Sequence, residues 1–231
     1  MPPSTTPAAG VRARVRAELT REILDSGRRM LASDGAAGLS LRAVARELGM
    51  ASSAVYRYFP SRDDLLTALV IEAYDAVGGA AEQADAALPR EDLRGRWRAI
   101  CTGVRRWALA HPHEYALIYG SPVPGYAAPQ ATTAAASRMA VTLLRVAADG
   151  IESGVVPVPD DPAGPAVAAD VLRRTGLPES LPAGRAVAVW SGLFGLITFE
   201  LFGHTAGVVE DHEAFFAAST DRLGDELGIP R

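Results

Sequence analysis

The chain has 231 residues, of which 48% are hydrophobic and 22% charged, a composition typical of a globular protein with a sizeable core. Its one cysteine, Cys101, excludes an intrachain disulfide and a cysteine metal cluster, and we expect a buried thiol there. The net charge of −4 is unevenly divided, since residues 1–62 carry a net +5 and residues 63–231 a net −9. A basic segment at one end is what contacts with nucleic-acid phosphates require.

The first predicted element is a helix over residues 11–33, followed by a loop at residues 34–38. The side chains expected to face the core are Val15, Leu19, Ile23, Met30 and Leu31. Three arginines precede this apolar run: Arg12, Arg14 and Arg16. Two interpretations stay open for them, a basic arm that enters the minor groove of DNA or a solvated face of the helix.

Residues 40–61 predict two short helices joined by a tight turn. The first covers residues 41–48, begins at an N-cap Ser40, and has an apolar face spaced at i, i+3, i+4 and i+7. Gly49 can take a positive φ and end this helix. The second is expected to run from Ser52 to Phe59, where Pro60 ends it. This is a helix-turn-helix, whose second helix enters the major groove of DNA.

Beyond residue 61 the pattern indicates further helices and no convincing strand, so the predicted fold is all-α, with about nine or ten helices. They are expected over residues 62–83, 90–110, 112–119, 131–153, 166–175, 184–203 and 211–228, with loops at 120–129 and 156–165. The clustered arginines of the second of these helices are expected to face mostly solvent: Arg94, Arg96, Arg98, Arg105 and Arg106.

Several motifs resemble the DNA-binding signature of TetR/AcrR-type transcriptional regulators: A-x-x-L-G at 45–49, V-Y-R-Y-F-P-S-R at 55–62 and D-L-L at 64–66. GSPVPGY at 120–126 and the run at 190–204 are similar to a C-terminal domain of that family, sometimes called WHG. The resemblance implies a three-helix DNA-binding head with its N-terminal arm in residues 1–62, and a larger ligand-binding and dimerisation domain in residues 63–231. It also implies that DNA is faced by Ser40, Arg42, Ser52, Ser53, Tyr56, Tyr58 and Arg62.

The same resemblance implies an inducer cavity among the central helices, mostly apolar with a few polar groups. The residues proposed to line it are Trp107, His111, His113, Tyr115, Tyr119 and Phe194. We therefore expect a small apolar or aromatic effector that releases a repressor from a palindromic operator. A homodimer is expected because one short recognition helix reads too few bases, and helices 184–203 and 211–228 are its predicted interface.

Two alternatives stay open, a DNA-binding regulator with a filled core and, less favoured, a helical-bundle enzyme that uses histidines. The pairs His111/His113 and Glu200/His204 lack the further ligands of a zinc site, so we expect no metal, no cofactor and no enzymatic activity. Residues 1–10 lack the apolar core of a signal peptide, and the apolar run 186–199 is shorter than the roughly 20 residues that cross a bilayer. The sequence predicts a cytoplasmic protein with no membrane partner.

Overall fold

The computed structural model describes residues 7–158, 175–178 and 180–231, and the regular elements in these ranges are all helices. They are α1 (Pro7–Gly38), α2 (Leu41–Glu47), α3 (Ser52–Val55), α4 (Arg62–Ala86), α5 (Leu93–Ala110), α6 (Pro112–Tyr119), a 3₁₀ turn (Gln130–Thr132), α7 (Thr133–Glu152), α8 (Ala183–Leu201) and α9 (His212–Glu226). The predicted all-α class is confirmed. The helix predicted over 166–175 and the loop over 156–165 fall almost entirely outside the described residues.

The chain divides into two compact units, residues 1–72 with 121–129 and residues 73–120 with 130–231. Helix α4 contributes residues to both. The loop at 121–129 belongs to the first unit, where the Tyr126 hydroxyl lies 2.9 Å from the Thr67 hydroxyl of α4. The division of function that the sequence predicts, at residue 62, stays a prediction.

In the first unit, α1 begins at Pro7, earlier than predicted, and extends to Gly38 with a kink at Gly35, where φ is 66°. Arg12, Arg14 and Arg16 therefore belong to this helix and not to an extended arm. The expected burial of Val15 is wrong, since 47% of the residue is exposed. Residues 10–18 are all exposed, and the buried face of α1 begins with Ile23.

The helix-turn-helix has the predicted turn but a shorter second helix. Leu41, Val44 and Ala45 of α2 are buried, and Gly49 ends the helix with a φ of 63°. Ser40 occupies the N-cap position with extended backbone, although its side chain makes no capping hydrogen bond. Helix α3 ends at Val55, and residues 56–58 continue as a turn that leads to buried Phe59.

Side-chain hydrogen bonds fix α2 against α1. The hydroxyl of Ser26, which is fully buried, donates to Glu47 over 2.7 Å, and Arg29 Nε donates to the same carboxylate over 2.7 Å. These bonds, first from Ser26 and then from Arg29, lower the pKa of Glu47. The turn that leads to α3 directly follows α2. This contact therefore helps to set the position of α3 and residues 56–58, which together are the predicted recognition segment.

The second unit has a core of large side chains from α5, α6, α7 and α8, including Trp97, Tyr115, Leu143 and Leu193, all fully buried. Helix α5 has one buried face and one exposed face. Helix α9 packs against both α5 and α8. Pro112 begins α6 as predicted, because a proline is tolerated in the first helical turn.

Two of the five arginines expected to face solvent are buried, so that expectation is wrong for Arg94 and Arg96. Arg94 donates to the carbonyl of Pro230 over 2.9 Å and pairs with Asp225 over 2.6 Å. Arg96, which is 1% exposed, pairs with Asp85 over 2.7 Å and Asp149 over 2.9 Å. A guanidinium is buried only where carboxylates and carbonyls satisfy its donors.

Candidate DNA-binding and ligand-binding sites

The proposed DNA surface is centred on α3 and the turn that follows it. Ser52 and Ser53 are exposed in α3, Tyr56 is 41% exposed, and Tyr58 is half-buried. Arg42, in the first turn of α2, is also exposed. Hydroxyl, phenol and guanidinium groups are the ones that reach base edges and phosphates in helix-turn-helix complexes. The exposure of these side chains agrees with the predicted role, and Ser40 is half-buried beside them.

Arg62 makes hydrogen bonds to main-chain carbonyls of the first unit. Its Nη2 donates to the carbonyl of Ala36 over 2.7 Å, and its Nε donates to the carbonyl of Leu39 over 3.2 Å. The guanidinium thereby ties the start of α4 to the C-terminal end of α1 and to Leu39, which follows it. The role of Arg62 in DNA binding stays a prediction.

The structure adds a basic group that the motif did not include. The guanidinium of Arg16 lies 5.0 Å from the centre of the Tyr58 ring, within the range of a cation–π contact. This contact places the N-terminal part of α1 beside the recognition segment. Residues four apart in an α-helix share a face, so Arg12 lies on the same face as Arg16. Arg14, two residues from each, lies on the opposite face.

Ion pairs within the first unit neutralise only part of its positive charge. Arg28 and Arg29 pair with Asp25 and Glu47, so these two charges are neutralised inside the unit. Within the described ranges, several exposed arginines form no ion pair: Arg12, Arg14, Arg16, Arg42, Arg46 and Arg57. The net positive charge that the sequence places in residues 1–62 is therefore available to an external polyanion.

The second unit contains a cavity of about 440 Å³ between α4, α6, α7 and α8. Large side chains around it include Tyr74, Ile118, Tyr119, Leu144 and Trp190, and small residues of α7 complete the wall. None of the lining residues that the structure describes is charged. A cavity of this size and polarity matches the pockets that hold small organic molecules in proteins.

Of the six residues predicted to line a pocket, Tyr119 alone lies among those lining this cavity. The hydroxyl of Tyr115 forms a hydrogen bond of 2.7 Å with the hydroxyl of Thr198, and the Tyr115 side chain is fully buried in the core. Trp107 is buried and stacks on His111, with ring centres 5.4 Å apart. Tyr115, Trp107 and His111 do not line this cavity, and their role in ligand binding stays a prediction.

Phe194 and His113 are also absent from the lining of this cavity. Phe194 is buried, packed against Tyr119 at 4.0 Å between ring centres, and His113 is exposed to solvent. Helical spacing indicates which residues share a face but not whether that face meets the core or a cavity. For that reason the sequence did not identify Tyr74 and Trp190 as residues that line the cavity. The apolar run around Trp190 indicated only a buried aromatic side chain.

The histidines and the cysteine do not form a cluster of metal ligands in the described part of the chain. No group of three or more His, Cys, Asp or Glu side chains there could hold a metal ion. Glu200 is engaged by Arg105 through two bonds of 2.7 and 2.6 Å. Cys101 is buried as expected, and burial raises the pKa of its thiol well above the usual range.

Helices α8 and α9 present apolar side chains to solvent. Phe199 is 55% exposed, and Phe202 and Phe215 are also exposed. With Gly192, Gly195 and neighbouring residues, Phe199 and Phe215 line a cleft of about 230 Å³. In the part of the chain that the structure describes, α8 is the one helix that is long and apolar enough to cross a membrane, judged by length and composition alone. Only 28% of an apolar stretch of 18 residues in this helix is buried. The predicted burial of this helix on several sides is thus incomplete within one chain.

Comparisons with known proteins identify both parts of the chain. Residues 23–69 match the family model for bacterial regulatory proteins of the tetR family, and residues 97–223 match that for a tetracyclin repressor-like C-terminal domain. The HTH-type transcriptional regulator Rv1816 of Mycobacterium tuberculosis (strain ATCC 25618 / H37Rv) is 39% identical over 225 residues, which cover 93% of this chain and 94% of that protein. The regulator Mb1846 of Mycobacterium bovis gives the same values.

Solved structures agree with these sequence matches. The regulatory protein SCO4313 superposes with a TM-score of 0.72 at 33% identity, covering 91% of this chain and 97% of its own. The TetR family transcriptional regulator PfmR from Thermus thermophilus shares the fold, with a TM-score of 0.56 at 20% identity, covering 90% of this chain and 99% of its own. The chain belongs to the tetR family of bacterial regulatory proteins and is a DNA-binding transcriptional regulator, not an enzyme.

Proposed function

We propose that this regulator is a homodimeric repressor that binds a palindromic operator and is released from it by a small, largely apolar effector. The observation that carries the effector part is the cavity of about 440 Å³ in the second unit, whose described lining residues are all uncharged. A ligand that binds only the DNA-free conformation shifts the population away from operator binding. A regulator with a filled core, the alternative from the sequence, has no use for such a cavity.

The DNA contacts in this proposal come from Ser52, Ser53, Tyr56, Tyr58 and Arg42, with Ser40 at the edge of the surface. Support comes from their exposure around α3 and from the unpaired arginines of the first unit. Arg16, held beside Tyr58, is added as a phosphate contact that positions the helix on the duplex. We place this function in the cytoplasm, where the operator DNA is.

The dimer interface in this proposal is formed by α8 and α9. Its support is the exposed phenylalanines on these helices and the incomplete burial of α8. An apolar surface of this kind is costly in water and is typical of a protein–protein contact. In a dimer with twofold symmetry, the two copies of the same surface meet each other and the two recognition segments read the two half-sites.

One experiment tests the proposal as a whole. Operator binding is measured by gel shift on the promoter of the gene that encodes this protein. The proteins compared are wild type, Tyr56→Ala and the double variant Tyr56→Ala/Arg42→Ala. Loss of a specific contact should weaken binding by about 1–3 kcal/mol per position. Compounds that raise the melting temperature of the protein are then added to the wild-type complex.

The expected result is weaker binding by the variants and release of the wild-type complex by at least one stabilising, apolar compound. An unchanged affinity in the double variant would contradict the DNA surface. Operator binding that is indifferent to every stabilising compound would instead favour the regulator without an effector.

A further inference from the structure

Two of the side chains around the cavity have polar groups that lack hydrogen-bond partners. The indole N–H of Trp190 is buried, and no group in the described residues accepts a hydrogen bond from it. The hydroxyl of Tyr119 likewise makes no hydrogen bond within those residues. In contrast, the hydroxyl of Tyr74 donates to the carbonyl of Ile118 over 3.3 Å, and that of Tyr115 is paired with Thr198.

The two unpartnered groups belong to neighbouring rings. The ring of Phe194 lies 4.0 Å from that of Tyr119 and 5.7 Å from that of Trp190, measured between centres. Tyr119 and Trp190 thus flank one buried phenylalanine, and both take part in lining the cavity. Buried polar groups are almost always paired, so the unpaired indole N–H of Trp190 needs an explanation. The Tyr119 hydroxyl beside it is partly buried and is free to bond to a ligand.

The electrostatics of the cavity restrict what can pair with them. Burial raises the pKa of Tyr119 well above the usual range, so its hydroxyl keeps its proton and can donate. No arginine, histidine or carboxylate is among the described lining residues. Among these described residues an anionic ligand would lose its hydration without meeting a cation, and a pure hydrocarbon would leave both donors unpaired.

We propose that the cavity binds a neutral, mostly apolar molecule with a hydrogen-bond acceptor such as a carbonyl oxygen, and that the hydroxyl of Tyr119 donates to it. The indole N–H of Trp190 is a second unpaired donor on a residue that lines the cavity. This inference rests on the proposed effector role of the cavity and adds the chemistry by which the effector is selected.

The test uses two near-isosteric probes, benzophenone and diphenylmethane, which differ by one carbonyl oxygen. Their dissociation constants for the full chain are measured by quenching of tryptophan fluorescence and by calorimetry. We expect benzophenone to bind about five- to tenfold more tightly, the value of one net hydrogen bond. Tyr119→Phe, which removes only the hydroxyl oxygen, should reduce this preference to about twofold or less.

Two further variants control the interpretation. Tyr115→Phe removes a hydroxyl from the adjacent ring, at 5.2 Å, but that hydroxyl is already paired and does not face the cavity, so the preference should persist. Ala140→Leu fills the cavity from α7 and should abolish binding of both probes while preserving the fold. Circular dichroism and melting temperature establish that each variant folds.

Several results would overturn the inference. These are equal affinity of the two probes for wild type, no binding of either, a preference that survives Tyr119→Phe, or binding that survives Ala140→Leu. Tighter binding of the anion 4-benzoylbenzoate than of benzophenone would also contradict it. Operator affinity is measured in parallel, because Tyr119-dependent binding that leaves the operator complex intact would contradict the effector role and not the ligand chemistry.

Discussion

The contact between Arg16 and Tyr58 predicts that one face of α1 binds DNA phosphates and the opposite face does not. Arg16→Gln should lower the dependence of operator affinity on salt, because each arginine–phosphate contact releases condensed counterions. Arg14→Gln removes the same charge from the same helix, on the face away from Arg16. It should leave the salt dependence almost unchanged.

The expected magnitude follows from the number of contacts. Each phosphate contact contributes about 0.9 to the slope of log affinity against log salt concentration, so two copies of Arg16 in a dimer contribute about 1.8. Between about 50 and 200 mM salt, a fourfold change, this amounts to about a tenfold change in affinity. The advantage of wild type over Arg16→Gln should therefore shrink about tenfold across that range.

Fluorescence anisotropy with a labelled operator, titrated at four or five salt concentrations, measures these slopes directly. A non-operator duplex of equal length is included, since a phosphate contact should affect both duplexes alike. Equal changes of slope in Arg14→Gln and Arg16→Gln would contradict the predicted phosphate contact, because that result indicates a general effect of net charge. An unchanged slope in Arg16→Gln would contradict it as well.

Three further predictions concern the stability and assembly of the chain. Ser26→Ala should destabilise the first unit by about 1 kcal/mol, because the variant loses one hydrogen bond and leaves no buried group unpaired; thermal denaturation measures this, with exposed Ser33→Ala expected to be nearly neutral. Phe199→Glu should weaken dimerisation about tenfold or more, whereas Val15→Glu, similarly exposed but on α1, should not; sedimentation of wild type as a monomer at micromolar concentration would contradict the interface. Arg231 and Arg94 lower the pKa of Asp225 from 3.8 to about 2, so the stability it contributes is present above pH 3.8 and lost as the pH falls through about 2. Asp225→Asn should remove that part of the acid dependence, measured as melting temperature against pH.

The amino-acid sequence determined the features that depend on neighbouring residues. Gly49 ends α2 because only glycine takes its positive φ without strain, and Pro112 begins α6 because its missing N–H is not needed there. The apolar spacing of Leu41, Val44 and Ala45 defined the buried side of α2. Interactions within three or four residues carry this information, so the helix-turn-helix could be predicted from the sequence alone.

Other features depended on residues far apart in the chain, and only the tertiary structure decided them. Arg94 is buried because carbonyls and carboxylates of residues 221–230 surround it, which nothing near it in sequence indicates. Tyr115 and Tyr119 lie one helical turn apart, yet one is fully buried in the core and the other lines a cavity. The physical reason is that local spacing fixes which side chains share a helix face, whereas the packing of distant helices decides whether that face meets protein, solvent or empty space.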